Sequence, residues 1–279
     1  MDIKKFSPGL PFIFIILFVR FIYFISVRVG ELPDEIFIFE RIYSLTVSRV
    51  EPELLAGHTI YFPNSEYFYP PLYFFINSLL LQLLFLIKGS VLSIKESFFA
   101  YTQILRLFSF IASSASIILT WQVLNRFGFN KNIAVSALIF FALLPTYAIF
   151  SNALNFHVFV YFVFSLFFYL VTVRIKNLID VKIAVLLGLI VGLSLLVNFE
   201  GLMLIIFLFV YVFLSKSKGN KIAFFGVFMS VVMITSGWWY LYNFLHFGNF
   251  YDPKIFEATT KFFPKPFSFP RYFDTVIKD

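Results

Sequence analysis

Two acids and an arginine are the residues of this chain whose types and spacing could do chemistry. Asp34 and Glu35 follow Pro33, soon after the first apolar run, and Arg106 lies inside a later run, Phe98–Leu124. A carboxylate can take the proton from an attacking hydroxyl as a general base. A guanidinium fork matches two phosphate oxygens. Asp34 and Glu35 are therefore the candidate catalytic acids, and Arg106 the candidate phosphate ligand. Glu200 and Asn155 in later polar turns, and His58 and Tyr69 in the same segment as the acids, are the candidate substrate-binding groups. The set suits group transfer from a lipid-phosphate carrier to an acceptor hydroxyl.

Each residue also has a plainer reading. Asp34 precedes a helical pattern and could simply cap it by accepting orphan backbone N–H groups. Arg106 could snorkel to a nearby membrane surface. Arg20, midway along the first apolar run, is too deep for that and should face the bundle and pair with something. Glu200 could be an ordinary loop carboxylate. However, the run after it, Gly201–Leu214, makes only about 21 Å of helix. That is short of the ~30 Å hydrocarbon core, which places Glu200 in an outward-open cavity. His58 and His157 read as loop and helix-end polar residues, because nothing has metal-ligand spacing. Trp238, Trp239 and Tyr240 read as an interfacial aromatic belt.

The elements that position these groups are greasy helices. The chain has 279 residues, 60% hydrophobic and 13% charged, with no cysteine. Its mean hydropathy is +0.89. One water-soluble core cannot hide that much apolar surface, so the composition implies a multi-pass membrane protein and excludes disulfides and thiolate metal sites. The net charge of +7 does not signal nucleic acid, because the Lys and Arg residues sit in short loops between spans. Apolar runs of helical length fall at Leu10–Val29, Pro70–Ile87, Phe98–Leu124, Ile133–Phe150, Phe156–Val173, Val181–Val197, Gly201–Leu214 and Ala223–Phe244. If Pro70–Ile87 crossed, the basic loops around Arg126, Arg174 and Lys216 would lie outside, against the positive-inside bias. If instead it lies along the outer surface or dips and returns, seven helices cross. The N-terminus, Lys4, Lys5 and those loops are then cytoplasmic, and the acidic segment 30–97 faces outward. Within that segment Glu35–Val50 has helical periodicity, with Ile36, Phe39, Tyr43, Val47 and Val50 on one face and Arg41 opposite, as for a helix lying in the interface.

These residues carry a resemblance. Pro33-Asp34-Glu35, then Tyr69-Pro70-Pro71-Leu72-Tyr73, then Arg106-Leu107-Phe108-Ser109, in that order, resemble the GT-C superfamily of membrane glycosyltransferases. The similarity is nearest to the protein O-mannosyltransferase and lipid A aminoarabinose transferase group, the glycosyltransferase family 39 type. Leu144-Pro145, Ser151-Asn152, Gly188-Leu189, Gly192-Leu193 and Gly237-Trp238-Trp239-Tyr240 extend it over nearly the whole chain. The resemblance implies an all-α GT-C-like bundle of about seven transmembrane helices, with a large first outer loop containing in-plane amphipathic helices. It implies one domain, 1–279, with outer loop 30–97 and a short outer tail 245–279, and a chain that is minimal or truncated beside members that continue further. It implies a polyprenyl- or dolichyl-phosphate-linked sugar as donor, used on the outer face, with Asp34 as base or acceptor-positioning group, Glu35 as its acidic neighbour and Arg106 at the donor phosphate. The lipid phosphate is the leaving group, so no nucleotide or other cofactor is required; a divalent cation is compatible but nothing indicates one. The acceptor is a hydroxyl on lipid, glycan or protein, and the other partners are membrane lipids. The chain departs from the family pattern at Asn152 and Asn155, where an acid is frequent, at Asn198, where a lysine is common, and at Tyr69, which replaces a histidine. The asparagine replacements and the short tail argue for the competing expectation, a non-catalytic GT-C-like scaffold or assembly subunit.

Overall fold

A computed structural model describes residues 10–32, 35–48, 70–172, 180–214 and 219–247, and every element in them is helical. In chain order these are α1 (Leu10–Ser26), α2 (Glu35–Ser48), α3 (Leu72–Lys88), α4 (Ile94–Arg126), α5 (Lys131–Leu143), α6 (Pro145–Phe150), α7 (His157–Leu170) and α8 (Val181–Leu195). A single 3-10 turn, Phe199–Gly201, leads into α9 (Leu202–Leu214), followed by α10 (Lys221–Val232), a π-helical stretch Met233–Gly237, and α11 (Trp238–Phe247). Two stretches, Ile94–Arg126 and Lys221–Leu245, are long and apolar enough to cross a membrane. Six further apolar helices are shorter.

The organising element is α4. Its 33 residues make a rod of about 50 Å at 1.5 Å per residue. Ser93 and Glu96 start it with a reciprocal capping box, which satisfies two orphan backbone donors. Along one stretch it joins α2 and α3 in a core that contains Phe39, Phe74, Leu81 and Leu105. Further along it joins α1, α5 and α6 through Ile16, Trp121, Leu138 and Tyr147. Its contact with α7 carries a polar seam, in which the hydroxyls of Ser116 and Ser165 lie 2.7 Å apart. A third core, with Phe167, Leu187, Leu208 and Phe228, gathers α7, α8, α9 and α10. There Gly188 and Gly192 let α8 close on α10 and the π-helical stretch: a methyl on Gly192 would sit 2.6 Å from Thr235 Cβ.

Three expectations change. The run 133–150 is two helices, because Leu144 takes an extended conformation and Pro145 starts α6 without needing an N–H. The inner face of α2 is also different. Ile38, Phe39, Ile42 and Thr46 are buried, whereas Ile36 and Val47 are exposed. Arg41, expected on the outer face, is buried with its guanidinium 4.2 Å from the centre of the Phe74 ring, a cation–π contact. The partners of α2 are α3 and α4, and they select the face; Val50 lies outside the described residues. Arg20 does face the bundle. Its Nη2 donates to Ser113 Oγ at 2.8 Å, and its guanidinium lies 5.0 Å over Tyr147.

Candidate functional site

The polar groups gather at one end of the bundle, where α1 ends and α2 and α7 begin. α1 leaves two carbonyls, Val27 O and Arg28 O, beyond its last turn, and orphan carbonyls at a helix end attract a cation. Arg106, from α4, supplies it: Nη1 donates to Val27 O at 2.9 Å and Nη2 to Arg28 O at 2.9 Å. Glu35 is the first residue of α2, where a negative charge suits the helix dipole. Its carboxylate meets the Arg106 fork, with Nε to Oε1 at 2.6 Å and Nη2 to Oε2 at 2.5 Å. The last Arg106 donor goes to Gln103 Oε1 at 3.0 Å. All five guanidinium N–H groups therefore have protein acceptors. Both side chains are 0% exposed.

Glu35 reaches further. Oε2 accepts from Gly30 N at 3.1 Å and Oε1 from Leu154 N at 3.0 Å. Gly30 makes this turn at φ 87°, a left-handed value that a side chain rarely adopts. One carboxylate thus ties the end of α1, the start of α2, the middle of α4 and the loop before α7.

That loop carries the second cluster. His157, the first residue of α7, has Nδ1 3.4 Å from Glu200 Oε1 on the 3-10 turn, and the two side chains are 27% and 38% exposed. Asn198 Nδ2 lies 3.5 Å from the same Nδ1. The ring packs between Phe150 and Phe156, at centroid distances of 5.3 Å and 4.5 Å. Each side is built by one local device. Asn155 Oδ1 accepts from His157 N at 2.8 Å, and Asn198 Oδ1 accepts from Glu200 N at 3.3 Å. The sequence writes the pair as Asn155-Phe156-His157 and Asn198-Phe199-Glu200. The segment leading into the second turn is tied to the start of α3 by Leu72 N, which donates to Leu196 O at 2.9 Å.

No family model, curated protein or solved structure matches the chain.

The structure therefore brings Glu35 and Arg106 together and seals them from solvent, and brings Glu200 and Asn155 together through His157. Asp34, His58 and Tyr69 lie outside the described residues. Asn155 is buried and engaged with its own turn, so Glu200 and His157 are the open polar groups of this cluster. His157 was read from the sequence as a plain helix-end residue. The repeated Asn-Phe-acid/base pattern was the available signal for it. Among the described residues, no group of three His, Asp or Glu side chains could hold a metal ion.

Proposed function

We propose that this chain is a GT-C-type glycosyltransferase that moves a sugar from a polyprenyl- or dolichyl-phosphate carrier to an acceptor hydroxyl on the outer face of the membrane. In this reading about seven helices cross, the N-terminus is cytoplasmic, and α2 and α3 belong to the outer loop. The observation that carries it is the hydrogen bond that Leu154 N donates to Glu35 Oε1, which holds the neighbour of Asp34 against the loop bearing Asn155 and His157. Asp34 is the base. It takes the acceptor proton as the hydroxyl oxygen bonds to the sugar C1 and the C1–O bond to the lipid phosphate breaks. Glu35 and Arg106 act as positioning residues, since their mutual pairing leaves neither free for substrate. His157 and Glu200 are the groups that meet sugar hydroxyls.

The saturation of Arg106 also favours a second reading, a GT-C-like subunit that shapes an assembly without catalysing transfer. One experiment separates them. Lipid-linked sugars and surface glycans are compared in cells that lack the chain, carry it, or carry Asp34→Asn. The transferase reading expects the variant to insert normally yet leave the glycan missing and the lipid-linked sugar accumulated. Full restoration by Asp34→Asn would remove the base and leave the scaffold reading.

A further inference from the structure

Two buried arginines are treated differently by this fold. Every N–H of Arg106 has an acceptor. Arg20 is 3% exposed, and only its Nη2 is engaged, by Ser113 Oγ. Its Nε and Nη1 meet no acceptor among the described residues. The Ser113 hydroxyl is itself committed to Phe110 O at 2.9 Å, and the Tyr147 hydroxyl to Ser113 O at 2.9 Å. Among the described residues no carboxylate pairs with Arg20, in contrast to Arg106 with Glu35. The Tyr147 side chain offers its ring face and a phenol oxygen, a neutral acceptor and no counter-ion. A guanidinium so placed in a low-dielectric interior is costly until an anion joins it.

α1 is held to the bundle by a single stripe, Ile13, Ile16, Arg20 and Phe24. Its other faces are exposed and apolar, and Val19, beside Arg20, is among the exposed residues. Thr146, beside Tyr147, is exposed at the break between α5 and α6. Arg20 therefore sits on the inner stripe of a helix whose remaining faces are exposed. The anion that a membrane delivers to such a place is a phosphate, and a guanidinium is the side chain suited to it.

We propose that Arg20, with Ser113 and the Tyr147 ring, forms a phosphate-binding site between α1, α4 and α6. The site stands apart from the Glu35–Arg106 clamp and does not depend on the role given to Asp34. Its ligand is a phosphate oxyanion, from a lipid headgroup entering sideways or from solution.

The full chain is purified in dodecyl maltoside, and its thermal unfolding is followed by tryptophan fluorescence against dodecyl phosphate and, separately, inorganic phosphate. A saturable rise in midpoint with dodecyl phosphate alone assigns a lipid source. A saturable rise with inorganic phosphate as well assigns a soluble one. In either case Arg20→Met abolishes the rise, and Arg20→Lys weakens half-saturation by about tenfold, because a point charge lacks the fork. Arg20→Lys keeps the charge and carries the test should Arg20→Met fail to fold. No response of the wild-type chain to either probe, as expected if internal water alone serves Nε and Nη1, overturns the site. An equal response in Arg20→Lys and the wild type overturns it too.

Discussion

Replacing Glu35 by Gln keeps the shape of the side chain and removes its charge. The Arg106 guanidinium then remains buried among neutral acceptors, Val27 O, Arg28 O, Gln103 Oε1 and the amide oxygen put in place of the carboxylate, with no counter-ion. Breaking a buried pair from one side costs about 3–5 kcal/mol, because the surviving charge is uncompensated. Arg106→Met breaks it from the other side and also orphans two carbonyls, each costing about 1–3 kcal/mol. The double variant Glu35→Gln/Arg106→Met buries no charge. It should cost no more than Arg106→Met alone, which puts the coupling at about 3 kcal/mol or more. Unfolding of the four proteins in detergent micelles, followed by far-ultraviolet circular dichroism against a denaturing detergent, measures the cycle. Coupling below about 0.5 kcal/mol, the scatter expected of independent sites, would refute the claim that the two residues form one unit.

Further outcomes follow from single residues. Gly192→Ala places its methyl 2.6 Å from Thr235 Cβ and should destabilise by about 1–3 kcal/mol. Gly226→Ala, with nothing within 4 Å of the added methyl, should not; equal unfolding midpoints would contradict the close approach of α8 to the π-helical stretch. Burial raises the Glu40 carboxyl above its ordinary value of 4.5. The folded chain then holds the proton where the unfolded chain has released it, so stability falls as pH rises from the ordinary value through the raised one. Glu40→Gln should flatten that fall, and an unchanged pH profile of the midpoint would remove Glu40 as its source. His157→Gln and Glu200→Gln should each lower transfer about tenfold, a loss of roughly 1.4 kcal/mol, and the double variant little more. Multiplying losses in a glycan-transfer assay would show that the two act separately.

What the sequence made legible was the class of element and the end of the bundle where polar groups collect. Partnership was not legible. Glu35 and Arg106 were each singled out, yet 71 positions separate them, and nothing local shows that each is the other's ligand. The inner face of α2 is hidden for a related reason. Ile36, Ile38, Ile42 and Val47 are all apolar, so periodicity offers several stripes of similar quality, and only the packing of α3 and α4 chooses among them. Pro145 could have been read as a break from its missing N–H, but the apolar text continues across it. His157 and Glu200 were written in the same local pattern, though only tertiary structure brings the two turns face to face.

The length of chain between these partners has a consequence for biogenesis. Arg20 emerges 93 positions ahead of Ser113, and Glu35 emerges 71 ahead of Arg106. In the proposed multi-pass reading, the first helix enters the bilayer with its cation unanswered, a burden of about 2.5–3.5 kcal/mol on insertion scales. The ribosome must deliver α4 before either charge finds its protein contacts. Arrival of that one helix gives Glu35 its counter-ion and Arg20 its hydroxyl contact together, so α1 and α2 are committed to their places late, by a segment made after them.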